Sequence, residues 1–463
     1  MYSTEHFPIT LGMRLPVVSI PTYCSNLIAA LRQCLRDDQV IARHRARAAD
    51  FTRRRALPFE RVMLFILQKT TRSIQRHLHT FWDQLALEIA TVATPGAVTQ
   101  ARAKLKHTAF IALNRETVLP LIYAPAQADT IQRWRGHRLV GLDSSLVRLP
   151  RSATTEKEFG LVEIKNHLGA TGTAYPEARL SVVYDLLNRI GLDGRLEKST
   201  LGEVELASQQ LDQLAAGDVA IMDRGFTGFV FLARHRQRQI HFIARCSSGS
   251  FLAAQEMFRR NRAGQSRRVK LWAARAHQAE LKRLGLPEFL VVRFVSVRLP
   301  TGELEVLVTS LLDEKVYPTR EFLAVYHWRW NHETYYGMLK GRLDLENWSG
   351  QSAEAVRQDF HAAVLLANLE SILSGPAQTV VAARSAEAQH PQQVNRAVSY
   401  HALKDRLLDL LLADTPIPEV LDELQKLFLG SPVTVRPQRP RLRPKLSLHR
   451  SYHFQRNIRK SVF

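Results

Sequence analysis

The chain has 463 residues, 45% of them hydrophobic, and a formal net charge of +21 at pH 7, with an isoelectric point near 10.3. No apolar run approaches the ~20 residues that span a bilayer. The opening MYSTEHFPIT carries no secretory pattern, and Cys24, Cys34 and Cys246 have neither the even count nor the CxxC spacing of a disulfide or zinc framework.

These features lead us to expect a cytoplasmic protein with one large core and attached domains. Its field draws polyanions, so nucleic acid is the leading partner, and arginines spread over several segments argue against a membrane-surface helix. Residues 1–135 read as an all-helical domain. A helix over SNLIAALRQCLRDD and the basic run IARHRARAADFTRRR precede three segments of helical period, PFERVMLFILQKT, TRSIQRHLHTFWDQLALEI and VTQARAKLKHTAFIALNRETV. Arg102, Lys104, Lys106 and His107 near its end suit contact with a DNA end; the competing reading is a helical scaffold without base contacts.

From Arg138 the periodicity changes to that of a sheet, and residues 136–246 read as the first part of an α/β core. HRLVGLDSSLVRLP is a strand-like run that carries Asp143 where its neighbours call for burial. A Gly-, Thr- and Lys-rich loop spans about 151–176. ARLSVVYDLLNRIGLDGRLEKST predicts a hairpin, with Asp193-Gly194 as turn residues and Asp185 as the rival acid within a strand. A helix over 202–214 leads through Asp218, a cap or turn residue, to a short buried strand that stops at Asp223. Beyond the carboxyl end of a strand is where ligands gather in open sheets. IHFIARC is the next strand.

Residues 247–318 read as an insertion, basic at first, then β-rich over FLVVRFVSVRLP and ELEVLVTSLLD; Trp272 within it reads first as the centre of a small core. TREFLAVYHWRWNHETYYGMLKG, residues 319–341, predicts a single long helix with Thr319 as N-cap and Gly341 closing the far end. Tyr326, Arg329, Glu333 and Lys340 then project within an arc of roughly 60°. That strip suits a phosphate beside a metal ion, whereas its plainer reading is an Arg329–Glu333 surface pair. Val325, Trp328, Trp330, Tyr335, Met338 and Leu339 surround the other sides, and Gly337 on the strip marks a close approach. The amphipathic run SAEAVRQDFHAAVLLANLESIL completes the second part of the core, 319–375. A linker at 375–395 and two helices form a helical region, 376–433, which docks on the core or dimerises. Residues 434–463 form a basic flexible tail.

The spacing of Tyr326, Arg329, Glu333 and Lys340 resembles the Y-R-E-K signature of the DDE transposases of bacterial insertion sequences, the insertion-sequence-four family. The resemblance implies a ribonuclease-H-like mixed-sheet core of order strand, strand, strand, helix, strand, helix, strand, interrupted by a mostly β insertion. It also implies an Asp-Asp-Glu triad at Asp143, Asp223 and Glu333, binding two Mg²⁺ ions (Mn²⁺ as substitute), with Asp143 bridging them. Tyr326, Arg329 and Lys340 then hold phosphates near the element end, and Trp272 gains a second reading, stacking on an extruded base. The expected partners are double-stranded DNA, as terminal inverted repeats and target, and a second copy in a synaptic homodimer at the bacterial nucleoid. The rival functions are a nuclease or resolvase that cuts without joining, and a non-catalytic DNA-binding descendant.

Overall fold

The computed structural model describes residues 21–53, 56–70, 73–86, 92–163 and 174–436. Among them ten strands form one mixed sheet: β1 (Leu139–Leu142), β2 (Ser144–Arg148), β3 (Leu161–Val162), β4 (Tyr175–Asp185), β5 (Ile190–Lys198), β6 (Val219–Met222), β7 (His241–Arg245), β8 (Ser266–Trp272), β9 (Phe289–Arg298) and β10 (Leu304–Thr309). Every residue of β1 and β6 is buried, as expected of parallel strands covered on both faces. The spatial order is β5–β4–β1–β6–β7, with β4 antiparallel to its neighbours and β1, β6 and β7 mutually parallel. Helices Glu203–Gln210 and Phe229–Gln237 supply the crossovers between β5, β6 and β7. This is the ribonuclease-H-like order expected from the sequence.

The segment 247–318 adds to this sheet rather than starting another. β10 pairs antiparallel with β7, then β9 with β10 and β8 with β9. β8 is therefore the outer edge, built from the stretch that reads as basic.

Several expectations are corrected. Asp193 is not in a turn: it lies buried within β5, paired with Arg115 and Arg195. The hairpin turns instead at 186–189, where the Asp185 carboxylate accepts from the Leu187 and Asn188 amides at 3.1 and 3.0 Å and Arg189 takes a left-handed conformation. The Tyr123 hydroxyl also donates to Asp185, which stands opposite Val140, three residues before Asp143. Asp218 behaves as expected, accepting from the Ala215 amide and pairing with Arg138. The loop over 151–176 contains a capped helix, Ala153–Phe159, and β3; its residues 164–173 lie outside those described.

Gly375 and Pro376 do not end the second core helix, which runs from Ala353 to Arg384. An interior proline removes one backbone hydrogen bond. Burial of Ala377 and Val381 beyond it, and donation from the Gln425 amide to the Leu373 carbonyl at 2.6 Å, hold the helix together across the gap. Helices Arg396–Leu411 and Ile417–Gly430 dock beside it, and Arg32 of the first helix, Thr22–Arg36, donates to the carbonyls of Leu410, Asp409 and Thr415. Arg102, expected near DNA, is buried: it donates to Gln358, Ser349, the Ala355 carbonyl and Asp359. His107 pairs with Glu354. Both tie the helical region to the core. The basic tail from residue 437 lies outside the described residues, and no helix among those described is long and apolar enough to cross a membrane.

Candidate active site

β1 and β6 run side by side with Leu142 opposite Met222, so the next residue of each strand is an acid. Asp143 and Asp223 thus leave two adjacent parallel strands at matched height, about 4.8 Å apart in backbone spacing. Asp143 does not lie within a strand as expected. It occupies the one-residue gap between β1 and β2, its Oδ1 accepting from the Ser144 amide at 2.8 Å. Burial pushes the Asp143 carboxyl up to about 6; Arg329 opposes the rise, while Glu203 and Glu333 add to it. Asp223 opens a 3-10 turn, Arg224–Phe226, and its Oδ1 is buried with no hydrogen-bond partner among the described residues.

The stretch over 319–341 is not a single helix. Thr319–Glu321 is a 3-10 turn, Phe322–His327 one helix and Trp330–Gly341 another. The break falls where the amides of Trp328, Arg329, Asn331 and His332 bond three residues back instead of four. Thr319 does not cap it; its hydroxyl donates to Glu314 and accepts from Arg293. Trp328 and Trp330 stand exposed, whereas Val325, Tyr335, Met338 and Leu339 are buried. Among the described residues, a methyl added at Gly337 would meet nothing within 4 Å.

The strip nonetheless faces the strand ends. Arg329 is buried, its guanidinium 2.9 Å from Glu333 and over the rings of Tyr326 and Trp330. Burial opposes the Arg329 charge, but Tyr326, Glu333 and Asp223 hold its pKa above the ordinary value. Burial likewise raises the Tyr326 phenol, with Asp223 adding to the rise. Among the described residues, neither the Tyr326 hydroxyl nor Arg329 Nε has a hydrogen-bond partner. Lys340 donates to Ser145 Oγ and the Leu146 carbonyl on β2 and lies 3.8 Å from Glu346.

Asp143, Asp223 and Glu333 offer only carboxylate oxygens, the donor set of a hard divalent ion, and the unpartnered Asp223 Oδ1 is a free donor of that kind. They do not close into one three-ligand cage: among the described residues no three His, Cys, Asp or Glu side chains are grouped to share a metal ion. Arg329 lies among the acids instead, a cation where they face one another.

Trp272 stands apart, at the outer edge of the sheet. It is 59% exposed, which rules out its burial in a small core, and packs against Phe289 with the Lys270 ammonium 4.5 Å above its ring.

Three residues were missed in the sequence. Glu203 accepts from Ser144 Oγ at 2.5 Å and from Arg179 at 3.0 Å, beside Asp143. Gly141 lies so close to the Glu333 helix that an added Cβ would sit 2.7 Å from His332 Nδ1. A lone glycine in an apolar strand is the signal that marks such an approach. Tyr336, one turn on from Glu333, hydrogen-bonds the backbone at Asp143.

Residues 134–369 match the family model described as the transposase DDE domain. The chain belongs to this transposase family. Over 472 aligned residues the transposase is 25% identical to the transposase InsG of insertion sequence element IS4 from Escherichia coli strain K12, covering 97% of this chain and 99% of that relative. The cryo-EM structure of a piggyBac transposase synaptic complex with hairpin DNA aligns with 87% of this chain and 85% of its own, at 11% identity and a TM-score of 0.42. A likeness that low adds nothing to the fold assignment, which rests on the strand order. As a member of the family, the transposase is an enzyme that cuts and transfers DNA.

Proposed function

We propose that the transposase moves an insertion sequence by cut-and-paste, through divalent-metal-dependent cleavage and strand transfer at its terminal inverted repeats. One observation carries this reading: the Leu142–Met222 register that sets Asp143 beside Asp223, with the Arg329–Glu333 pair against them. Asp143, Asp223 and Glu333 are the residues that would hold two Mg²⁺ ions, each an oxygen donor suited to a hard divalent ion. Bound there, such ions activate the attacking oxygen and stabilise the leaving one.

The chain's own groups position the DNA. Arg329 offers a flat, two-pronged contact to a phosphate once it leaves Glu333, and Lys340 a point charge. The buried Tyr326 hydroxyl, without a partner among the described residues, suits donation to a phosphate oxygen. Trp272, exposed and flanked by Lys270, suits stacking on an extruded base. Joining two ends calls for a homodimer in a synaptic complex, working at the nucleoid in the cytoplasm.

The test uses purified protein, Mg²⁺ and linear DNA carrying the element's own ends. Cleavage followed by joining is expected. Cleavage without joining favours a nuclease or resolvase, and binding without cleavage a non-catalytic protein.

A further inference from the structure

Gly141 opposes Tyr184 and Ser144 opposes Ser181 on β4, so no residue is inserted between them and Asp143 faces Val182. A regular ladder there would bond the two strands directly. Here a phenol stands in the rung. The Val182 amide donates to Tyr336 Oη at 3.0 Å, and Tyr336 Oη donates to the Asp143 carbonyl at 2.7 Å. Tyr336 follows Glu333 by one helical turn, so one side chain spans the helix that carries the third acid and the backbone of the first. A second contact reinforces it: His332 packs on Gly141, leaving no room for a methyl.

We infer that Tyr336 is a positioning residue whose hydroxyl sets the spacing between Asp143 and Glu333. It wedges β1–β2 from β4 at Asp143 and fixes the height of the helix above the strand end. The Asp143 carbonyl also accepts from Ser181 Oγ on β4 at 3.2 Å; without the Tyr336 hydroxyl, that contact and the Val182 amide are left to draw it in, and the rung closes. Asp143 is then drawn toward β4, away from the helix. The inference rests on the proposed metal role of these acids.

Tyr335 supplies the control. It is as buried as Tyr336 on the same helix, but its hydroxyl makes no hydrogen bond among the described residues. Mn²⁺ binding is measured by electron paramagnetic resonance on the full chain, without DNA, for wild type, Asp143→Asn, Tyr335→Phe and Tyr336→Phe. The expected result is a roughly tenfold weaker Mn²⁺ affinity for Tyr336→Phe, no change for Tyr335→Phe, and little or no specific binding for Asp143→Asn. Equal affinities for the two tyrosine variants, with Asp143→Asn still defective, overturn the positioning role alone. Unchanged binding in Asp143→Asn overturns the metal assignment beneath it. Should Tyr336→Phe fail to fold, Gly141→Ala, which presses the same helix from the strand through His332, is expected to weaken Mn²⁺ binding likewise. Wild-type affinity in that variant overturns the inference.

Discussion

The Arg329 guanidinium lies 2.9 Å from the Glu333 carboxylate and close enough to Asp223 and Asp143 for each to feel its charge. Without a divalent ion, this arginine is the neutralising charge of the acid cluster. Arg329→Ala is therefore expected to lower stability by ~1–2 kcal/mol in chelator, between the values for exposed and buried pairs. Mg²⁺ or Mn²⁺ should narrow the gap to wild type. Thermal melts with and without metal decide it, and a gap that metal leaves unchanged counts against this role. The same variant should join DNA ends worse than it binds them.

Glu333→Gln keeps the shape of the side chain and removes its charge. Strand cleavage should fall by on the order of 10³-fold, the kinetic equivalent of several kcal/mol of lost charge stabilisation. Binding to element ends should stay within a few-fold, as read by gel shift. Persistent cleavage would falsify the triad.

Trp272 adds little to the fold, being exposed on an edge strand. Trp272→Ala should leave the melting temperature within about 1 °C, as surface changes do. It should weaken end opening by ~1–3 kcal/mol, the range for base stacking on an aromatic ring. A fluorescent base analogue near the element end reports this. Normal opening would remove Trp272 from the interface.

His235 is fully buried, and its pKa is pulled down to about 4 by desolvation, with its Nδ1 hydrogen-bonded to the Phe231 carbonyl at 2.9 Å. A depressed histidine binds its proton more readily when unfolded. Its contribution is thus present above the unfolded pKa of about 6.5 and lost as pH falls through the window to 4, on the order of 3 kcal/mol in all. His235→Leu should flatten the stability profile in that window by about one proton. An identical slope in the variant would rule out the buried, neutral state of His235.

Arg102 ends on Asp359, both buried. Arg102→Ala leaves that carboxylate without its strongest partner, at a cost of ~3–5 kcal/mol. Denaturant titration should show it, and a loss below 1 kcal/mol would mean that Lys69, 3.8 Å from Asp359, and the two hydrogen bonds from Ser349 suffice without it.

That Asp143 and Asp223 end strands was legible because an acid at the end of an apolar run contradicts its neighbours, and the Arg329–Glu333 pairing because their spacing survives a distortion of the helix. The break at Trp328–Arg329 was not legible. It needs no glycine or proline, only amides bonding one residue nearer, and leaves no compositional mark. Pro376 misled in the opposite sense, since contacts across the helix outweigh the lost bond. Arg102 read as a phosphate contact because its partner acid lies 257 residues away. Nothing in the local pattern ties Tyr336 to Asp143; only the folded chain brings the phenol into the ladder.

The grip of Arg32 on the carbonyls at the end of helix Arg396–Leu411 and just beyond it, together with that of Arg102 on the long helix, bears on how such proteins diversify. A front part clamped at two distant points cannot be exchanged as a cassette by cutting at one boundary. A chimaera given a relative's first 110 residues would need side chains at 349–359 that match its residue 102 before it folded.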